Sequence, residues 1–241
     1  MSTLLESRIV RRDMVAADTL ACSVSRPAAF TFDPGQYIEV TLLRPPFDDS
    51  QGPTRAMSIA SAPEDDDLLL LMRLRDTAFK RSIATLPIGA PVLLDGPADD
   101  LRFEQGGGGH VVMVAGGVGI APFRAALRRA LTTGGQLDAT LFYSNRRPED
   151  AAYLAELCDI EQHVRGLRVV PTMTRMSEST MSWCGETERL SATMIARYVP
   201  DFRDARFYVS GSTSLISGLC QDLEGAGVSA GHIRVELYAG Y

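Results

Sequence analysis

Cysteine is scarce in this chain, and what there is lies scattered. The four cysteines of the 241 residues, Cys22, Cys158, Cys184 and Cys220, are widely spaced singletons. They form no paired or clustered set that would hold a zinc ion or an iron–sulfur centre, and they read as buried thiols. The three histidines, His110, His163 and His232, are equally dispersed and suggest no metal site. Basic charge is in deficit: 24 Lys and Arg against 30 Asp and Glu leave a net charge of −6, which excludes a general nucleic-acid binder that relies on a basic footprint. No apolar run approaches the length of a membrane span, and Met1 to Arg12 lacks a secretory apolar region. The expectation is a cytoplasmic protein that binds neither membrane nor nucleic acid.

Apolar residues, in contrast, make up 45% of the chain, enough for two cores. The glycine-rich stretch Gln105-Gly106-Gly107-Gly108-Gly109 is a natural boundary between them. We therefore expect domains at 1–105 and 106–241. Glu64-Asp65-Asp66-Asp67, after Pro63, reads as a solvated hairpin turn.

The most informative segment runs from His110 to Phe123. An apolar, β-branched run ends in Gly116-Gly117-Val118-Gly119-Ile120-Ala121-Pro122, which predicts a buried parallel strand, a tight turn and a helix with proline in its first turn. Glycines let backbone approach a phosphate closely, and a helix N-terminus offers amides and partial positive charge. A plain strand-to-helix turn needing glycine would look the same. The spacing is not GxGxxG, and no acidic residue follows at the usual distance for ribose. Further on, helical spacing covers Phe123 to Leu131, a strand covers Ala139 to Tyr143, a helix runs from Ala151 to Cys158, and a third strand covers Leu167 to Arg175. This alternation predicts a doubly wound sheet.

Taken in order, Pro34-Gly35-Gln36 at the start of an alternating strand, Arg55-Ala56-Met57-Ser58, the glycine turn, and the ending Glu236-Leu237-Tyr238-Ala239-Gly240-Tyr241 resemble the ferredoxin-NADP reductase family over essentially the whole chain. The resemblance implies an N-terminal antiparallel Greek-key β-barrel that binds FAD and a C-terminal α/β doubly wound parallel sheet that binds NADPH or NADH. It implies a flavin-dependent oxidoreductase that takes a hydride from NAD(P)H and passes electrons to a separate acceptor, such as ferredoxin, flavodoxin or an oxygenase component. A non-catalytic electron-transfer or regulatory subunit, or a flavin-free binding protein of the same fold, stays open beside it.

Site residues follow from the same resemblance. Arg55, Ala56, Met57 and Ser58 would contact the flavin: Arg55 as a planar fork for the pyrophosphate or as a surface ion pair, Ser58 as a hydroxyl donor to the ring. Met57 stands where the family usually has tyrosine. Met72, Arg73 and Ser82 would lie near the flavin phosphates, although capping alone explains a serine at a helix start. Gly116, Gly117, Gly119 and Pro122 would admit the nicotinamide nucleotide's phosphates, and Gly211 its nicotinamide. Asn145 and Arg146, with Thr174 and Arg175 at the end of the third strand, would face the adenosine. There Arg175 either holds a 2′-phosphate, favouring NADPH, or is a solvated arginine. Ser58, Glu236 and Tyr241 are the catalytic candidates. Glu236 is a proton-handling group or a strand-end surface charge, and Tyr241 is an aromatic cover for the flavin face. Ser210 and Ser212 stand where the family has a small residue or cysteine and a proline, so Ser210 supplies no polarizable thiol.

Overall fold

The computed structural model describes residues 4–99, 101–103 and 109–237. The first half is built from β1 (Leu5–Ala16), β2 (Thr19–Ser25), β3 (Gln36–Leu42), β4 (Thr54–Ser58), β5 (Asp67–Arg73), α1 (Ala78–Thr85) and β6 (Pro91–Asp99). The antiparallel strand order is β4-β3-β6-β1-β2-β5. A bridge between Ile59, just beyond β4, and Leu70 of β5 brings the two outer strands together and closes the barrel. After α1 the chain returns to set β6 between β1 and β3, a Greek-key crossing.

Strand periodicity decides what each barrel residue meets. On β5, Leu68, Leu70 and Met72 point into the barrel core, while Leu69 and Leu71 face outward into the cluster shared with the second half. That second half comprises β7 (Val111–Gly116), α2 (Ala121–Thr132), β8 (Ala139–Asn145), α3 (Leu154–His163), β9 (Leu167–Met173), α4 (Ala192–Tyr198), β10 (Arg206–Gly211), α5 (Thr213–Gly225) and β11 (Ile233–Leu237). Its five strands are all parallel in the order β11-β10-β7-β8-β9. Helices α2 and α3 cover one face and α4 and α5 the other, so the doubly wound reading holds. The strand order reverses between β7 and β10, and it is at the carboxyl ends of such a reversal that open α/β sheets form a ligand crevice. The boundary expected at 105/106 lies outside the described residues.

Helix α2 joins the halves. Its Phe123 and Leu127 share one apolar cluster with Ala21, Ala60, Leu69 and Leu71 of the barrel. Arg124, only 6% exposed, donates from Nη1 to the Ala60 carbonyl at 2.7 Å and from Nε and Nη2 to both Glu156 oxygens at 2.8 Å. One turn later Arg128 reaches Glu156 and grips both Asp65 oxygens, and Arg129 meets Asp33 and Glu64. The acidic run at 64–67 is exposed at Glu64, Asp66 and Asp67, as expected, and departs from that reading at Asp65. It does form the β4–β5 turn, but Glu64 and Asp65 dock onto α2 because three arginines face them.

Two further expectations change. Helix α3 starts at Leu154 rather than Ala151 and runs on to His163, because Pro148–Asp150 form a separate short turn and Tyr153 takes a left-handed φ of 58°. Only Cys22 is buried; Cys158 and Cys220 are half-buried and Cys184 is exposed.

Replacing Glu156 by alanine leaves the Arg124 charge enclosed with no anionic partner, only the Ala60 carbonyl and the Tyr153 ring, and is expected to lower unfolding stability by about 3 kcal/mol. A denaturant midpoint unchanged from the parent would refute that role. Burial pushes the Asp65 carboxyl up, but the Arg128 guanidinium and the Ala62 amide prevail and hold it below its ordinary value of 3.8. A carboxyl lowered by folding contributes stability that is present above its unfolded pKa and lost as pH falls below it. The melting temperature of the parent should thus fall more steeply than that of Asp65→Asn as pH drops below 3.8; parallel curves would remove Asp65 from the latch.

Candidate functional site

The crevice is shaped by the turn after β7. Gly116 ends the strand, residues 117–120 form a single tight turn, and α2 follows with Pro122 in its first turn, as the sequence predicts. No side chain caps this turn, and the Ala121 amide closes it by donating to the Val118 carbonyl. Gly117 has a φ of 53°, which favours glycine. Gly119 has a different reason. A Cβ there would lie 2.4 Å from the Ser210 carbonyl oxygen, so this glycine lets the turn press against β10. Gly116 and Gly211 face each other across the strand-order reversal, where a Cβ on Gly211 would come within 3.3 Å of the Gly116 nitrogen.

Beside those glycines the two halves make a buried polar contact. Parallel pairing of β10 with β11 sets Ser210 opposite Glu236, and Ser210 Oγ donates to Glu236 Oε2 at 2.6 Å. The other carboxylate oxygen accepts from Ser58 Oγ, at the end of β4 in the barrel. Exposures of 5% for Ser58, 2% for Glu236 and 0% for Ser210 make this a water-poor site with a carboxyl group at its centre. Ser58 and Glu236, two of the catalytic candidates, are thus brought together. The surface-charge alternative for Glu236 does not hold. Tyr241 lies outside the described residues.

The barrel candidates divide. Ala56 is exposed beside Ser58. Arg55 is spoken for by its own loop: Nη1 donates to the carbonyls of Gln51, Gly52 and Thr54, and the guanidinium sits over the Phe79 ring at 5.4 Å. Four expectations change here, those for Met57, Met72, Ser82 and Arg73. Met57, 7% exposed, and Met72, 4% exposed, turn into the barrel core, because strand alternation sends their side chains away from the cleft. Ser82 is not at a helix start. It sits mid-way along α1, fully buried, and its hydroxyl exchanges hydrogen bonds with the Phe47 backbone; the N-cap is Thr77. Arg73 crosses to the second half, where it pairs with Asp150 at 3.2 Å.

Asp150 was missed by the sequence reading and is a hub. Its carboxylate is 2% exposed and accepts from Arg73, Arg146 and Arg147. The spacing of Arg146 and Arg147 before Asp150, four and three residues, was the available signal. At the carboxyl ends of β8 and β9 the four adenosine candidates do meet. The Thr174 amide and hydroxyl both donate to the Asn145 carbonyl, and the Arg175 amide donates to the Arg146 carbonyl at 2.7 Å. Arg175 itself is exposed and 3.6 Å from Glu178. The Asn145 side-chain amide is buried and has no hydrogen-bond partner among the described residues, an orphan that suits a polar ligand. Ser210 was also missed as the second holder of Glu236; only strand register reveals it. A cavity of about 930 Å³ opens elsewhere, lined by Val111 and Ala139 at the amino ends of β7 and β8. It contains none of the candidates and lies at the end of the sheet opposite to the one where open α/β sheets bind ligands.

Comparison with known proteins agrees with this geometry. Residues 113–221 match the oxidoreductase NAD-binding domain family. The chain is 25% identical over 223 residues to the glycine betaine monooxygenase reductase subunit of Chromohalobacter salexigens, covering 91% of this chain and 60% of that protein. It is 29% identical over 167 residues to methane monooxygenase component C of Methylosinus trichosporium, covering 68% and 46%. The chain thus spans about 60% of the length of the first curated relatives it matches. Among solved structures it superposes on a ferredoxin NADP+ reductase from Neisseria gonorrhoeae with bound FAD and NADP, at a TM-score of 0.79 and 22% identity, over 98% of this chain and 99% of that one. The Amycolatopsis cytochrome P450 reductase GcoB gives a TM-score of 0.80 at 22% identity, over 98% and 71%.

Gly119→Ala tests the close packing of the turn. Its Cβ would strike the Ser210 carbonyl, and we expect about 1 to 3 kcal/mol of destabilisation in thermal or denaturant unfolding. Gly218→Ala, on α5 with open space around it, should cost nothing; equal effects at the two positions would contradict the packing argument.

Proposed function

We propose that this chain, which has the two-domain fold of the ferredoxin-NADP reductases and carries an oxidoreductase NAD-binding domain, is an NAD(P)H-dependent flavoprotein reductase. It would pass a hydride from NAD(P)H to bound FAD and then electrons to a separate acceptor of the ferredoxin, flavodoxin or oxygenase-component kind. The observation that carries the reading is the buried Ser58–Glu236–Ser210 contact, which joins barrel and sheet beside the glycine-lined crevice. The oxygenase reductase relatives support an oxygenase-type acceptor. A cytoplasmic setting suits a consumer of NAD(P)H, and among the described residues no helix is long and apolar enough to cross a membrane. The halves divide, on this reading, near residues 105 and 106.

Fit to the flavin rests on Ser58 and the exposed Ala56, which share one face of β4, and on Arg55 at the near end of the strand. When bound, the flavin supplies the chemistry of accepting two electrons as a hydride and releasing them singly. The protein's part is to position and to manage a proton. Each serine hydroxyl has one hydrogen, so while Ser58 donates to Glu236 its remaining capacity is to accept. A protonated Glu236 would reverse one of these bonds and free a serine hydrogen for a ring nitrogen. The uncapped turn at Gly116, Gly117 and Pro122 would hold nucleotide phosphates, and Gly211 would let the nicotinamide lie against backbone. Asn145, Arg146, Thr174 and Arg175 would form the adenosine edge, and Tyr241 would cover the flavin. A flavin-free protein of this fold is the second reading, favoured by the inward Met57 and the buried Ser82.

An anaerobic titration of the protein with FAD present, followed by visible absorption, tests this directly. The flavin band should bleach on adding NADPH at lower concentration than NADH. Arg175→Ala should erode that preference about tenfold, the worth of one charge-assisted hydrogen bond. Ser58→Ala should keep the flavin and slow its reduction about a hundredfold. Absence of any flavin band after adding FAD would sink the reductase reading in favour of the flavin-free one.

A further inference from the structure

The loop between β3 and β4 folds down on α1. The Phe47 amide donates to Ser82 Oγ, and that hydroxyl donates back to the Phe47 carbonyl, both at 3.1 Å. The Arg81 guanidinium lies 3.9 Å from the centre of the Phe47 ring. These contacts deliver Asp49 to a particular place. Its Oδ2 accepts from the amide of Ala78, the first residue of α1, at 3.1 Å. Its Oδ1 lies 3.9 Å from Arg55 Nη2. A carboxylate therefore occupies the gap between a helix N-terminus and the arginine assigned above to the flavin pyrophosphate.

Besides Arg55, the cations Lys80 and Arg75 lie within reach of one another here, while Arg81 is paired with Asp76 at 3.6 Å. Lys80, half-buried on the first turn of α1, has its ammonium pushed below the ordinary lysine value, first by burial and then by the charges of Arg75 and Arg55. A dianionic group would satisfy such a cluster better than a single carboxylate does.

We propose that Asp49 is a built-in stand-in for the cofactor's pyrophosphate: it holds Arg55 and the α1 N-terminus while the site is without flavin and must swing away for FAD to bind. The inference rests on the flavin reading above and adds to it a competitor inside the chain. Apparent affinity for FAD is then reduced by the fraction of molecules in which Asp49 is seated. Riboflavin, which has the same ring and no phosphate, escapes that competition.

Fluorescence titration of the full chain with FAD and with riboflavin, for the parent, Asp49→Ala and Asp49→Asn, tests the proposal without reference to activity. We expect Asp49→Ala to bind FAD about tenfold more tightly with riboflavin affinity unchanged. Asp49→Asn, which keeps an acceptor for Ala78 but loses the charge against Arg55, should fall between. The cofactor-free Asp49→Ala protein should also melt about 3 °C lower, having lost the acceptor of the first α1 amide. Equal or weaker FAD binding by both variants would overturn the proposal while leaving the flavin reading intact, as would an equal gain for riboflavin. No binding of either flavin by any of the three proteins would overturn the flavin reading and this inference together.

Discussion

Everything at the crevice depends on how the barrel is set against the sheet, and Arg124 decides that. A guanidinium enclosed between two domains is costly unless its donors are met. Here they are met from both sides, by the Ala60 carbonyl of the barrel and by Glu156 of α3, with the Tyr153 ring 4.1 Å from its centre. Arg128 and Arg129 repeat the pattern further along α2, toward Asp65, Glu64 and Asp33. Because α2 begins directly after the glycine turn, the helix that locks the halves together is also the one whose first turn faces the crevice. Domain orientation and turn geometry are thereby one constraint.

That constraint explains how Ser58 can meet Glu236. Their strands belong to different sheets and lie 178 residues apart, so no local rule brings them together. The contact is buried, and among the described residues a hydroxyl from each half of the chain donates to a separate carboxylate oxygen of Glu236. A second buried carboxylate, Asp150, does a different job. Surrounded by Arg73, Arg146 and Arg147, it is a fixed anion that ties the end of β5 to the loop after β8. One acidic group thus sits among neutral donors and the other among cations, and on the proposed reading only the first is placed to handle a proton.

The fold was largely legible because apolar periodicity reports it locally. Alternation along β3 reads as a strand buried on one face, the apolar run before Gly116 as a strand buried on both, and the spacing from Phe123 to Leu131 as a helix. The glycine turn and the helix-start proline were legible for the same local reason. Side-chain direction was not. Resemblance placed Met57 and Met72 at a cofactor, yet the barrel's alternation turns both inward. Ser82 read as a cap, but the helix begins five residues earlier at Thr77, where a threonine followed by alanine carries a weaker signal. Asp65 read as solvated because nothing in its neighbourhood in sequence announces Arg128, 63 residues away.

The sequence by itself determined the two cores, their order, the strand–turn–helix at 111–132, and the identity of the residues from which a site could be assembled. Each is set by interactions within a few residues: burial period, glycine freedom and proline geometry. Tertiary structure alone decided that Gly119 packs against β10, that Ser210 holds Glu236, and that acidic residues of one domain clasp arginines of the other. Those outcomes depend on strand register and domain contact. Both bring together groups far apart in the chain, and the cost of burying charge, not any local preference, selects their partners.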